Sequence, residues 1–290
     1  MADNEIFNAE FYQKLNTLRM TMKMHLAAGM SGGRKSNAKG SSVEFSDFRE
    51  YILGDDIRRI DWNAYGRFDK LFVKLFMEEK EGEFHLFIDG SKSMDFGEKS
   101  KAVCASRIAG ALSYVVLQNL DRLYIHKLYG SSVTSDKGVT GRQAFARVIK
   151  SLEGIHYDSD TDLLGGISRT QLKRRGVSVV ISDFYTTDLE PMLKYLAFHK
   201  QEIVLVQVLS REEIDPKFEG TVKLLDSETD GNVRITMSGG LIKEYRDSYE
   251  KFLKNIDALA KKYSTQYIRV ASDESLDAIM FGALSKLGTG

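Results

Sequence analysis

The sequence predicts an α/β protein: a doubly wound, mostly parallel open sheet with an N-terminal helical and β extension and a small β-hairpin insertion. Three observations predict it. Short, nearly continuous apolar runs recur at 83–89 (EFHLFID), 177–181 (VSVVI) and 202–209 (EIVLVQVL), the pattern of strands covered on both faces. Stretches with apolar residues spaced by three and four, the signature of amphipathic helices, separate them. Two of the runs lead straight into aspartates, Asp89 and Asp183, at the strand end where open α/β sheets place their ligands.

In chain order, Phe7, Phe11, Leu15, Leu18, Met22 and Leu26 mark a helix over 7–28. Residues 29–42, rich in glycine and serine, read as a surface loop. Its cations Arg34, Lys35 and Lys39 have no interleaved aromatics, so a solvated loop is expected rather than a nucleic-acid arm. Residues 43–67 resemble neither an ordinary helix nor an ordinary strand. Two strands follow at 71–79 and 83–89, separated by a charged turn. A helix at 98–119 carries Lys101 and Arg107 on one side and Ala102, Ala105, Ile108, Ala109, Leu112, Val115 and Val116 on the other, with small residues for close packing. Residues 122–129 alternate as a strand and 131–135 pair with it as a hairpin. A helix at 141–152 precedes a polar loop, 155–167, in which Thr161 reads as a helix N-cap or a ligand. After the strand at 177–181 come a helix at 189–199 and the strand at 202–209. Beyond Asp215-Pro216, residues 222–226 and 232–237, with Asp230-Gly231 between them, read as a hairpin. A helix at 241–262, a strand at 267–270 and a helix at 276–287 complete the chain. The two prolines make no linker. The expected organisation is a segment 1–80 packed on a main domain 81–290, with the hairpin inserted near 216–240.

Composition narrows the function classes. Of 290 residues, 42% are hydrophobic and 28% charged, ordinary for a globular protein. Lys plus Arg and Asp plus Glu both number 41, and this zero net charge argues against a general nucleic-acid binder. The single cysteine, Cys104, excludes an intrachain disulfide and reads as a small core residue. The acidic start MADNEIFNAEF is not a secretory n-region, and no apolar run is long enough to span a membrane. A cytoplasmic protein is expected.

The stretch FHLFIDGSKSMD, 84–95, carries the chemistry. Asp89-x-Ser91-x-Ser93 sets three oxygen donors on one tight loop, with Gly90 easing the turn. Such residues also make plain turns. In a doubly wound sheet Asp89 and Asp183 can share the crevice at the topological switch, and Thr161 can join them. Asp89, Ser91, Ser93, Thr161 and Asp183 would form an all-oxygen site of formal charge −2, suited to Mg²⁺ or Mn²⁺. In 43–67, Asp47, Asp55, Asp56 and Asp61 alternate with Arg49, Arg58, Arg59 and Arg67. Either Asp55, Asp56 and Asp61 build a metal-dependent hydrolase site, or Arg–carboxylate pairs pin the segment with Trp62 as apolar anchor. The near-balance of signs favours the pairs, since a cation site carries surplus negative charge.

Asp89-x-Ser91-x-Ser93, Thr161 and Asp183 in this order resemble the metal-ion-dependent adhesion site of von Willebrand factor A domains. EFSDFREYILGDDIRRIDWNAYGR, VQVLSREEIDP and LLDSETDG resemble the bacterial family called domain of unknown function fifty-eight, over most of the chain from about Arg34 onward. Tyr65-Gly66-Arg67 departs from it where members more often carry Ala-Arg. The resemblance implies a von Willebrand A-type, Rossmann-like domain in a cytosolic protein that works beside a MoxR-type AAA+ ATPase or its client, as an adaptor or co-chaperone. It supplies no catalytic residues.

Two functions follow. In one, Arg49, Asp55, Asp56, Arg58, Asp61 and Trp62 dock or brace, and the metal binds a partner carboxylate. In the other, Asp89 is the nucleophile of a metal-dependent phosphoryl-transfer hydrolase. That chemistry wants a general acid two residues on, where Ser91 stands. The chain also lacks a Walker A loop and a Gly-x-Ser-x-Gly elbow. Its five histidines show no metal-ligand spacing: His85 and His126 fall inside strands, and only His156 lies near Thr161. With no catalytic constellation, a non-enzyme is expected.

Overall fold

The computed structural model describes residues 6–17, 43–68, 70–78, 82–216, 221–225, 232–236 and 239–283. The chain divides into two compact units: Met1–Met22 with Gly82–Gly290, and Lys23–Glu81. The N-terminal helix thus groups with the larger unit and the Arg/Asp-rich segment forms its own. Helix α1, residues 9–17, begins at Asn8, whose Oδ1 accepts from the Phe11 amide at 3.0 Å. The remainder of the helix expected to residue 28 and the loop 29–42 lie outside the described residues.

In the smaller unit β1 (Val43–Glu50) pairs antiparallel with β2 (Phe72–Glu78), with a break in register between Phe45 and Asp47. A single 3₁₀ turn, Ile57–Arg59, and α2 (Trp62–Phe68) connect them. The stretch that reads as neither helix nor strand is therefore both. The irregular register and the dense charges disguise the alternation of β1.

The larger unit holds β3 (Glu83–Asp89), α3 (Lys101–Gln118), β4 (Arg122–Tyr129), β5 (Ser132–Ser135), α4 (Phe145–Glu153), α5 (Leu163–Ser168), β6 (Val177–Ser182), α6 (Leu189–Phe198), β7 (Glu202–Leu209), α7 (Arg211–Ile214), the β8–β9 hairpin (Thr221–Leu225, Asn232–Thr236), α8 (Gly239–Lys262) and β10 (Gln266–Ala271). A π-type turn, Ala278–Ala283, stands in the expected last helix. Six strands form one sheet in the order β10-β7-β6-β3-β4-β5, parallel except for the β4–β5 hairpin. Counted within the sheet, this is the 3-2-1-4-5-6 order of a doubly wound fold with its third strand reversed. The predicted fold class is met.

Alternation along β3 explains the two-sided cover. Leu86 and Ile88 enter one core with Ala105 and Ile108 of α3 and Val148 of α4. Phe87 enters the other with Leu163, Met192, Leu193 and Ile256 of α5, α6 and α8. Gly110 of α3 faces the N-terminal segment. A Cβ there would lie 2.8 Å from the Phe7 ring and 3.1 Å from the Phe11 ring. Cys104 is buried as expected, and burial pushes its thiol up to about 12. The N-cap of α5 is Asp162, whose Oδ1 accepts from the Gly165 amide at 2.8 Å, not Thr161 one residue earlier. No described helix is long and apolar enough to cross a membrane.

Candidate functional site

Strand β3 lies between β4 and β6, where the winding of the sheet reverses. Register sets Ile88 opposite Ile181, so Asp89 stands beside Ser182 at the carboxyl ends. Both are buried. The Ser182 hydroxyl donates to Asp89 Oδ2 at 2.6 Å and the Ser91 amide donates to Oδ1 at 3.0 Å. Only glycine fits between them: a Cβ on Gly90 would sit 2.7 Å from the Leu128 carbonyl oxygen and from the Tyr129 ring. The Ser91 and Ser93 hydroxyls bond each other at 3.0 Å. The loop after α4 is joined to this turn. Ser159 Oγ donates to the Gly90 carbonyl at 2.9 Å, and its own carbonyl accepts from the Lys92 amide at 2.8 Å. Thr161, half-buried, follows Ser159 by two residues.

Asp183, just past β6, is fully buried. Its Oδ1 accepts from the Tyr185 amide at 3.2 Å and its carbonyl accepts from Gln207 Nε2 at 2.8 Å. Its Oδ2 takes Lys101 Nζ at 2.8 Å. Lys101 is itself 0% exposed and reaches Glu213 Oε1 at 2.6 Å. The rings of Phe96 and Tyr185 lie 5.8 and 5.6 Å from the ammonium. Glu213 is fixed by a capping box at the start of α7. Its Oε2 accepts from the Ser210 amide at 2.7 Å, and Ser210 Oγ accepts from the Glu213 amide at 3.2 Å.

The charges do not balance. One ammonium answers Asp183 and Glu213, while Asp89 has hydroxyl and amide donors only among the described residues. Burial, reinforced by the charge of Asp183, pushes the Asp89 carboxyl up to about 6 against the hydrogen bonds from Ser182 and Ser91. Burial likewise raises Glu213, opposed by Lys101, and raises the Tyr185 phenol. Two carboxylates and neighbouring hydroxyls are the donor set of a hard divalent cation, and a buried carboxylate lacking a counter-ion is where such a cation fits.

Lys101, Glu213 and Ser182 escaped the sequence reading, which set Lys101 on a polar helix face. A signal existed: a lysine at the first position of a helix opposes the helix dipole, which favours acids there. Ser210-x-x-Glu213 is also a legible capping box.

Among the described residues, the acidic side chains of the smaller unit do not assemble a second centre. Arg49 Nη2 bonds both oxygens of Asp55, at 2.8 and 2.9 Å, and Asp55 Oδ2 also accepts from the Ile52 amide at 3.0 Å. Asp56 accepts from the Arg58 amide at 3.1 Å. Asp61 accepts from the amides of Asn63 and Ala64 and pairs with Lys74 at 3.2 Å. Burial pushes its carboxyl up, but Lys74 and these amides outweigh it and hold Asp61 below the usual range. Among the described residues no group of three or more His, Cys, Asp and Glu is arranged to hold a metal. Trp62 is 65% exposed, so it is not the expected apolar anchor. His156 is exposed, whereas His85 and His126 are buried and share a 3.0 Å contact between ring nitrogens.

The family described as "Protein of unknown function DUF58" matches residues 47–256. The chain belongs to this family. Among curated relatives, "Uncharacterized protein Rv1480" of Mycobacterium tuberculosis (strain ATCC 25618 / H37Rv) is 29% identical over 238 residues, covering 79% of this chain and 74% of the relative. Solved structures that it resembles include BatB from Bacteroides thetaiotaomicron, at 16% identity over 72% of this chain and 100% of that one, with a TM-score of 0.46. The SpRpn10 VWA domain aligns at 10% identity over 68% of this chain and 92% of that one, with a TM-score of 0.39.

Proposed function

We propose that this DUF58 chain is a metal-dependent protein-interaction module. Asp89, Ser91, Ser93, Thr161 and Asp183 would hold Mg²⁺ or Mn²⁺, and the bound cation would offer a remaining position to a carboxylate of a partner. The observation that carries the reading is Asp89: a buried carboxylate at the sheet switch, with Asp183 as a neighbouring charge, hydroxyls around it and no Lys or Arg partner among the described residues. The chain's residues divide the work. Ser182 and the Ser91 amide orient Asp89, the Gly90–Ser159 contacts hold the two loops together, and Lys101 holds Asp183 in place. The motif resemblance extends the reading to an adaptor or co-chaperone in the cytoplasm, beside a MoxR-type AAA+ ATPase or its client.

Thermal unfolding in EDTA, Mg²⁺ and Mn²⁺ tests the site. A cation bound only by the folded state adds about 2.7 kcal/mol at a hundredfold excess over its Kd. Wild type should melt higher with either cation and Asp89→Ala should not respond. An absent response in wild type, both alone and with the ATPase present, would refute the metal reading. Binding to the ATPase should fall in Asp89→Ala without loss of fold, and binding that survives in the variant would remove the metal from the interaction.

A further inference from the structure

The smaller unit carries a built groove that the metal reading leaves unused. The rings of Phe48, Phe68 and Phe72 meet edge to face, Phe72 centred 6.4 Å from Phe48 and 6.2 Å from Phe68. With Asp61, Asn63, Ala64 and Arg67 they line a cavity of about 330 Å³. The wall residue Phe68 is 66% exposed, and the same unit leaves Leu53 at 96% and Trp62 at 65% exposed. So much exposed apolar surface in so short a segment marks an interaction site. Trp, Tyr and Arg are also the residue types that dominate binding energy at interfaces.

Charge identifies what the groove takes. The acids whose side chains are described in this unit are engaged: Asp55 by Arg49, Glu50 by Lys70, Asp61 by Lys74, and Asp56 at the start of its 3₁₀ turn. Arg58 and Arg67 are exposed and have no carboxylate partner among the described residues. Among its described residues the unit therefore presents aromatic surface with two arginines to spare, and Arg67 lines the groove itself.

We infer that the groove of Phe48, Phe68 and Phe72 docks a segment of a partner protein that inserts an aliphatic or aromatic side chain and sets an adjacent carboxylate against Arg67. The guanidinium fork suits a carboxylate, and the phenylalanine walls suit the apolar anchor. This docking needs no metal.

Trp62 is the only tryptophan and opens the helix that lines the groove, so its emission reports on this site alone. The probe is a short synthetic peptide with one leucine and one phenylalanine among aspartates, titrated into the full chain; its control replaces every aspartate by lysine. The acidic peptide should shift Trp62 emission saturably and bind at least about tenfold more tightly than the control. Arg67→Glu and, separately, Phe68→Ala should weaken it by about tenfold at unchanged melting temperature, since both side chains are exposed. Equal binding of the two peptides, or no binding, overturns the inference. So does resistance of Trp62 to acrylamide in the protein alone, which would mean that the surface is already covered by the chain. An emission shift that follows protein concentration and dimer formation would assign the groove to a second copy instead.

Discussion

The carboxyl end of the sheet and the β1–β2 unit use the same residue types to opposite ends. At the sheet, Lys101, Asp183 and Asp89 are withdrawn from water, so each charge must be answered inside the protein, and Asp89 is not. In the β1–β2 unit, Arg49–Asp55 and Lys70–Glu50 stand at the surface, where water already answers them, and such pairs contribute little. The apolar side chains are reversed as well: Phe87 and Phe184 are sealed at the sheet, while Trp62 and Phe68 face solvent. An unanswered charge matters where it is buried, and an uncovered ring matters where it is exposed. The two regions thus point to two binding chemistries in one chain.

The sharpest way to break this contrast is Lys101→Met. Removing one partner of a buried ion pair leaves an uncompensated charge and costs about 3–5 kcal/mol. Here Asp183 and Glu213 both lose their cation, so urea unfolding of the variant should fall in that range. Adding Asp183→Asn and Glu213→Gln should restore most of the loss, because replacing a whole buried network is often near neutral. Mg²⁺ should also raise the melting point of Lys101→Met more than that of wild type, since the cation would then answer three carboxylates. A loss below about 1 kcal/mol would put Lys101 in the surface-pair class.

A second buried pair, away from the crevice, tests burial by pH. His85 Nδ1 and His126 Nε2 lie 3.0 Å apart, and His126 Nδ1 lies 2.7 Å from Ser135 Oγ. His85 stacks on the Tyr124 ring with centroids 4.7 Å apart. Burial pulls His85 down to about 4, and burial with the neighbouring His85 pulls His126 down to about 3. Both values lie below the unfolded one, so the unfolded chain binds more protons in acid. Their stability contribution is fully present above the unfolded value of 6.5 and is lost as pH falls through about 4 for His85 and about 3 for His126. His85 alone accounts for about 3 kcal/mol between those limits. Melting temperatures from pH 7 to pH 4 should fall steeply in wild type and less so in the double variant His85→Phe, His126→Phe. Parallel curves would show that other groups set the acid limit.

The fold was legible because parallel strands covered on both faces declare themselves as apolar runs, and the runs at 83–89, 177–181 and 202–209 all became strands of the sheet. That the carboxyl ends of β3 and β6 lie side by side was legible too, since chain order and doubly wound topology bring those strand ends together. What stayed hidden has physical causes. Strand β1 is interrupted in register and crowded with charge, so its period is broken. Thr161 and Asp162 are both good caps, and only the geometry of the turn chooses between them. Lys101 lies on a helix whose neighbours Ala102 and Ala105 already mark the buried face; a lysine is assigned to water unless its partners, one of them far along the chain at Glu213, are known.

Trp62 offers the finest test of the comparison. Large apolar side chains are usually inside, and on that rule a lone tryptophan among paired charges reads as the anchor of its segment. The structure instead leaves it 65% exposed, with an edge contact to Tyr65 at 6.3 Å. Truncating a side chain that is mostly in water removes little burial, so Trp62→Ala should change unfolding free energy by less than about 0.5 kcal/mol. Circular dichroism in urea measures this without relying on the missing fluorophore. A small change places Trp62 with the binding surface, where its value is realised only when a partner covers it. A loss above about 2 kcal/mol, the range of a buried aromatic, would return it to the role of anchor and make the β1–β2 unit a packed element like the sheet.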